Sequence, residues 1–136
     1  MRGINAPDPN SLVYNEDNTP KVTFHVEPTV PNAGTFELDR EDHTLGNLIR
    51  MYALKDERVL FCGYKVPHPL EHTVQIKIQS VPPTASASEI GMYSVGGPRA
   101  AFIRAVASAR RDVMALESSF EKSLNDYYTS HHTQQN

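Results

Sequence analysis

Glu41, Asp42 and His43 stand in a row at the head of the stretch EDHTLGNLIR, and His68 and His72 follow, four residues apart. Carboxylates beside an imidazole can pass protons or, joined by further histidines, hold a divalent metal for hydrolysis. A small metal-dependent enzyme using His68 and His72 is the chemical reading of this set. It requires convergence, and two histidines four apart share a face only on a helix. Pro67 and Pro69 flank His68 and oppose a helix there, because proline lacks an amide donor and clashes with the preceding turn. His131 and His132 sit close to the end of the sequence. The spacing favours loop histidines over ligands, and neither a metal nor another cofactor is expected.

Covalent catalysis finds no better support. Cys62 lies within the apolar run VLFCGYKV, where cysteine behaves as a small hydrophobe, and nothing nearby would stabilise a thiolate. The serines of residues 82–98 lack the strand–turn–helix setting of a nucleophile elbow. Gly96 and Gly97 lead into Pro98 and not into the lysine of a phosphate loop. They read as a flexible approach to a helix with proline in its first turn. EDHTLGNLIR then reads as a helix start. Asp42 or Thr44 can cap it, and Glu41 and Asp42 complement the positive end of the helix dipole. Gly46 costs a helix interior about 1 kcal/mol against alanine, which points to a close approach of the backbone and so to packing.

The surrounding elements support packing as the purpose. Residues 21–26 (KVTFHV) and 33–38 (AGTFEL) alternate and predict strands, as do 59–66 (VLFCGYKV) and 73–81 (TVQIKIQSV), which are expected to pair. Between them, residues 44–55 predict a helix with Leu45, Leu48, Ile49 and Tyr52 on one stripe. Residues 1–20, rich in Pro, Asn and Asp, read as an extended arm, and 82–98 as a loop unusually long for a compact domain. From residue 99 to about 127, Phe102, Val106, Ala109, Val113, Leu116, Phe120 and Tyr127 recur with a near-heptad step. Such a helix reaches on the order of 40 Å, more than a domain of this size spans. Part of its seam should project and need a partner. Residues 129–136 are expected to fray.

Composition sets the class. The chain has 136 residues, 39% hydrophobic and 21% charged, with a net charge of −3. That suits one soluble domain, residues 21–128, with the arm and tail outside it. There is no basic footprint for phosphate-backbone binding, so direct nucleic-acid contact is not expected. No apolar run is long enough to span a bilayer, and the first residues lack a secretory core; an intracellular protein is expected.

HTLGNLIR at residues 43–50, preceded by Glu41 and Asp42, resembles the signature of the small alpha-like subunits of DNA-dependent RNA polymerases. That family takes in archaeal subunit L and the dimerisation part of bacterial alpha. The resemblance runs on through VLFCGYKVPHPLEH, the alternating TVQIKIQS and the long final helix, over roughly residues 20–80 and 99–127. KVPHPLEH and the early NAPDP are similar to the polymerase II branch; FCGY is closer to the branch shared by polymerases I and III. The resemblance implies an α+β fold, a small mainly antiparallel sheet with one short and one long helix. It implies a nuclear, non-catalytic subunit that pairs obligately with a larger alpha-like (third) subunit and offers an assembly platform to the second-largest. The interface it implies comprises Thr44, Leu45, Gly46, Asn47, Leu48, Ile49 and Tyr52 on the first helix. On the second it comprises Phe102, Val106, Ala109, Val113, Leu116 and Phe120. Residues 82–98 depart from the family, which crosses to the helix in a shorter loop.

Overall fold

The computed structural model describes residues 15, 17, 19–68, 70, 73–82 and 96–132. Most of the expected arm, residues 83–95 of the loop, His72 and residues 133–136 lie outside the described residues. The elements are β1 (Val22–Val26), β2 (Ala33–Asp39), α1 (His43–Ala53), β3 (Val59–Lys65), β4 (Thr73–Ser80) and α2 (Pro98–His132). The strands form one sheet in the order β1-β2-β4-β3, every neighbouring pair antiparallel. β2 and β3 therefore run the same way on either side of β4, and α1 connects them. This is the α+β architecture expected.

Period-two alternation decides what the sheet buries. Phe36 and Leu38 of β2 and Val74, Ile76 and Ile78 of β4 point into the core, the last three with no exposed surface. Each such side chain stabilises the fold by roughly 1.5–3 kcal/mol relative to exposure. The intervening Thr35, Glu37, Gln75 and Lys77 are half-exposed, and Lys77 Nζ bonds Glu27 Oε2 at 2.7 Å across the open face. Both helices lie on the other face, so the sheet is one-sided.

β1 differs from its pattern. Val22, Phe24 and Val26 are registered with Leu38, Phe36 and Gly34 and so share the core side. Val22 and Val26 are nonetheless exposed, because the helices pack over β2, β4 and β3 and leave this edge strand largely uncovered. The β1–β2 turn places Asn32 at φ 53°, a left-handed conformation asparagine tolerates.

α2 follows from its residues. After Gly97, at φ 114°, and Pro98 come no further glycine or proline before the helix ends, and alanine recurs through the first half. Its 35 residues extend about 50 Å. Helix runs through His132, across the first of the residues expected to fray, and residues 133–136 lie outside the described residues. The Thr129 hydroxyl donates to the Asn125 carbonyl and the Ser130 hydroxyl to the Tyr127 carbonyl, both at 2.8 Å, so these polar groups bond within the helix. No helix among the described residues is long and apolar enough to cross a membrane.

Candidate partner interface

The residues that suggested chemistry are placed as structural parts. Asp42 is the N-cap of α1, its Oδ1 accepting the Thr44 amide at 2.8 Å. His43 Nδ1 lies 3.2 Å from the Tyr64 hydroxyl, with the two rings edge to face. Gly46 marks a close approach of helix and sheet: a methyl group there would stand 2.7 Å from Tyr64 Cδ2 and 2.9 Å from Val74 Cγ1. His68 Nδ1 accepts the Leu70 amide at 3.1 Å, a local turn contact. Among the described residues, no three or more His, Cys, Asp or Glu side chains are grouped to hold a metal. Cys62 is buried in β3, and burial pushes its thiol up to about 11, outweighing the opposing influence of Arg50.

The two helices meet through small side chains. Ala53 of α1 and Ala101, Ala105 and Ala109 of α2 are buried, and the four-residue spacing of the last three keeps one face of α2 flat. Polar pins border this contact. The Tyr52 hydroxyl donates to Asp112 Oδ2 at 2.6 Å. Arg104 Nε donates to Asp56 Oδ2 at 2.7 Å, with both side chains less than a fifth exposed. Asp56 also accepts from the amide and guanidinium of Arg58. Burial would raise the Asp56 carboxyl, but the Arg58 bonds and then Arg104 outweigh it and hold the group at about 2. Beside these pins Phe102 stacks on Phe36 with centroids 4.1 Å apart.

This packing divides the expected interface in two. Gly46, Ile49 and Ala109, expected as partner contacts, are buried within the chain itself. The reason is that the first turns of α2 lie on the chain's own α1 and sheet. Leu45, Tyr52 and Phe102 also pack against the core, though only partly buried. Asn47 Oδ1 accepts from Arg50 on the same helix. Leu48 is half-exposed and Thr44 exposed.

Beyond Ala109 the situation reverses: every residue of α2 from 110 to 130 is exposed. Val113, Leu116 and Phe120 have 56%, 71% and 68% of their surface open, and Val106 is open too. These four form the remaining, accessible part of the expected seam. Ile103, Met114, Leu124 and Tyr128 extend the apolar surface and were not singled out by the sequence reading. A wider stripe, counting neighbours on either side of the heptad positions, would have included them. An apolar surface of this extent on a projecting helix marks a protein contact.

Comparison with known proteins agrees with this geometry. Residues 33–119 match the family model described as the RNA polymerase Rpb3/Rpb11 dimerisation domain. The DNA-directed RNA polymerase II subunit rpb11 of Dictyostelium discoideum is 48% identical over 77 residues, covering 57% of this chain and 64% of that protein. Subunit RPB11 of Schizosaccharomyces pombe is 52% identical over 62 residues, 46% of this chain and 50% of that one. The chain thus spans between half and two thirds of the curated relatives it matches. The crystal structure of RNA polymerase subunit L from Thermoplasma acidophilum superposes with a TM-score of 0.58 at 24% identity. It covers 79% of this chain and 94% of that one, which supports the fold. With the matched region spanning β2, α1, β3, β4 and the first two thirds of α2, the chain belongs to the RNA polymerase Rpb3/Rpb11 dimerisation-domain family.

Proposed function

We propose that this chain is the small alpha-like subunit of RNA polymerase II, a nuclear, non-catalytic component. It pairs obligately with the larger alpha-like third subunit, and the pair is the platform on which the second-largest subunit docks. The observation that carries the reading is the half-covered α2: a first part packed on its own domain and a second part, residues 110–130, exposed with Val113, Leu116 and Phe120 on one stripe. Burying such a stripe contributes about 25 cal/mol for each Å² of apolar surface removed from water, the character of an obligate interface. The names of the relatives favour polymerase II over the paralogue shared by polymerases I and III. The chain's role is to position other subunits, with catalysis and nucleic-acid contact left to the large ones.

Co-expression with the larger alpha-like subunit tests this. The wild-type pair should co-purify, and Val113→Asp or Leu116→Asp should abolish it, because a buried unpaired carboxylate is strongly disfavoured. Pairing that survives both substitutions would refute the interface. A chain that ignores the larger subunit altogether would refute the function.

A further inference from the structure

β1 keeps an unused edge. The Asp39 amide donates to the Lys21 carbonyl and the Glu27 amide to the Ala33 carbonyl, so residues 21 and 27 face β2. Backbone groups alternate sides along a strand, which turns the N–H and C=O of Val22, Phe24 and Val26 away from β2. β1 is the outermost strand, so these groups point to the free edge. The side chains of Val22 and Val26 are exposed beside it. At the far end lies a cleft of about 510 Å³ lined by Phe24, Val26, Val30, Pro31, Gly97 and Arg99, with the Arg99 guanidinium 4.4 Å from the centre of the Phe24 ring.

Just before β1 the chain turns back on itself. The Asn15 amide donates to the Thr19 carbonyl at 2.9 Å, and Asp17 Oδ1 accepts from the Thr19 amide and hydroxyl at 3.1 and 2.6 Å. Such a turn sends the preceding residues back antiparallel to the strand that follows it. Counting from the Asn15–Thr19 pair, Leu12 comes level with Val22, Asn10 with Phe24 and Asp8 with Val26. Opposite residues of an antiparallel pair share a face. Leu12 therefore meets the exposed Val22, and the Asp8 carboxylate arrives on the side where Arg99 stands. The same alternation turns residues 7 and 9 outward, and both are proline. Proline lacks an amide donor and is confined to an outer edge, where it stops a further strand from adding. Tethered beside β1, this segment meets the edge at an effective concentration on the order of millimolar, which favours it over a second copy of the chain.

We infer that residues 8–14 lie along the free edge of β1 in their own chain as a fifth strand, with Leu12 on Val22 and the Asp8 carboxylate against the Arg99 guanidinium. The strand occupies an edge to which another extended chain would otherwise add. The inference is independent of the partner assigned to α2.

Amide hydrogen exchange in the full chain tests it. The Val22, Phe24 and Val26 amides should exchange slowly, as those of Thr23 and His25 do through β2. Removing residues 1–12 should speed the first three roughly tenfold or more and leave the other two unchanged, which separates loss of the strand from loss of the fold. Asp8→Arg and Arg99→Asp should each speed the Val26 amide several-fold, and the two together should restore it. The rates should not depend on protein concentration. Edge amides as fast in the full chain as in the shortened one, protection that grows with concentration, or a charge exchange that fails to restore protection would each overturn the inference.

Discussion

Asp56 joins the end of α1 to α2, and replacing it with asparagine isolates what its charge contributes. The side chain is 16% exposed and Arg104 19%, with Nε and Oδ2 2.7 Å apart. Its carboxyl is held at about 2 against an ordinary 3.8, and one pKa unit corresponds to about 1.4 kcal/mol. The charge therefore stabilises the fold by about 2 kcal/mol. The group is depressed on folding, so this stability is fully present above pH 3.8 and is lost as pH falls through about 2. Asp56→Asn keeps the shape and removes the charge. Urea unfolding at pH 7 should show the variant less stable by about 2 kcal/mol, and repeating the titration down to pH 2 should show the gap closing from about pH 4 downward. A deficit under about 0.5 kcal/mol at pH 7, or a gap that stays constant through the acid range, would refute the reasoning. It would mean that the guanidiniums and the carboxylate merely neighbour each other.

Two further substitutions probe the core. Gly46→Ala should gain about 1 kcal/mol of helix propensity but incur about 1–3 kcal/mol of overpacking against Tyr64 and the fully buried Val74; thermal melts should show a net loss, and a higher melting temperature would contradict the close approach. Phe102→Ala removes the ring stacked on Phe36 and should destabilise the isolated chain by about 3 kcal/mol, whereas Phe120→Ala, on an exposed ring, should leave its denaturation midpoint almost unchanged. The Cys62 thiol, buried and raised to about 11, should react with a thiol reagent at pH 7 far more slowly in the folded chain than in denaturant; equal rates would mean that β3 is open at this point.

The strands and helices were legible because their periods are strong. TVQIKIQS alternates without interruption, and β4 buries Val74, Ile76 and Ile78 accordingly. The insertion of β4 between β2 and β3 was not legible, since hydrophobic alternation says which face is buried and nothing about which strand lies beside it. The site was half legible. Large apolar residues at heptad spacing drew attention to one seam, while the contact α2 makes with its own domain is built from Ala101, Ala105 and Ala109, side chains too small to register in a pattern of bulk. Ala109 was consequently assigned to the partner. The Asp56–Arg104 pair joins residues 48 apart in sequence, and no local spacing could reveal it. Gly46 was the exception, a helix-weakening residue whose cost correctly pointed to close packing.

The proposed function places the larger alpha-like subunit on the exposed half of α2 inside the assembled polymerase. Photo-crosslinking from a reactive amino acid placed at position 116, with position 77 on the open face of the sheet as control, tests it most directly. In the purified enzyme position 116 should couple to the larger alpha-like subunit and position 77 should not. Coupling from position 116 only to other subunits, or to none, would contradict it.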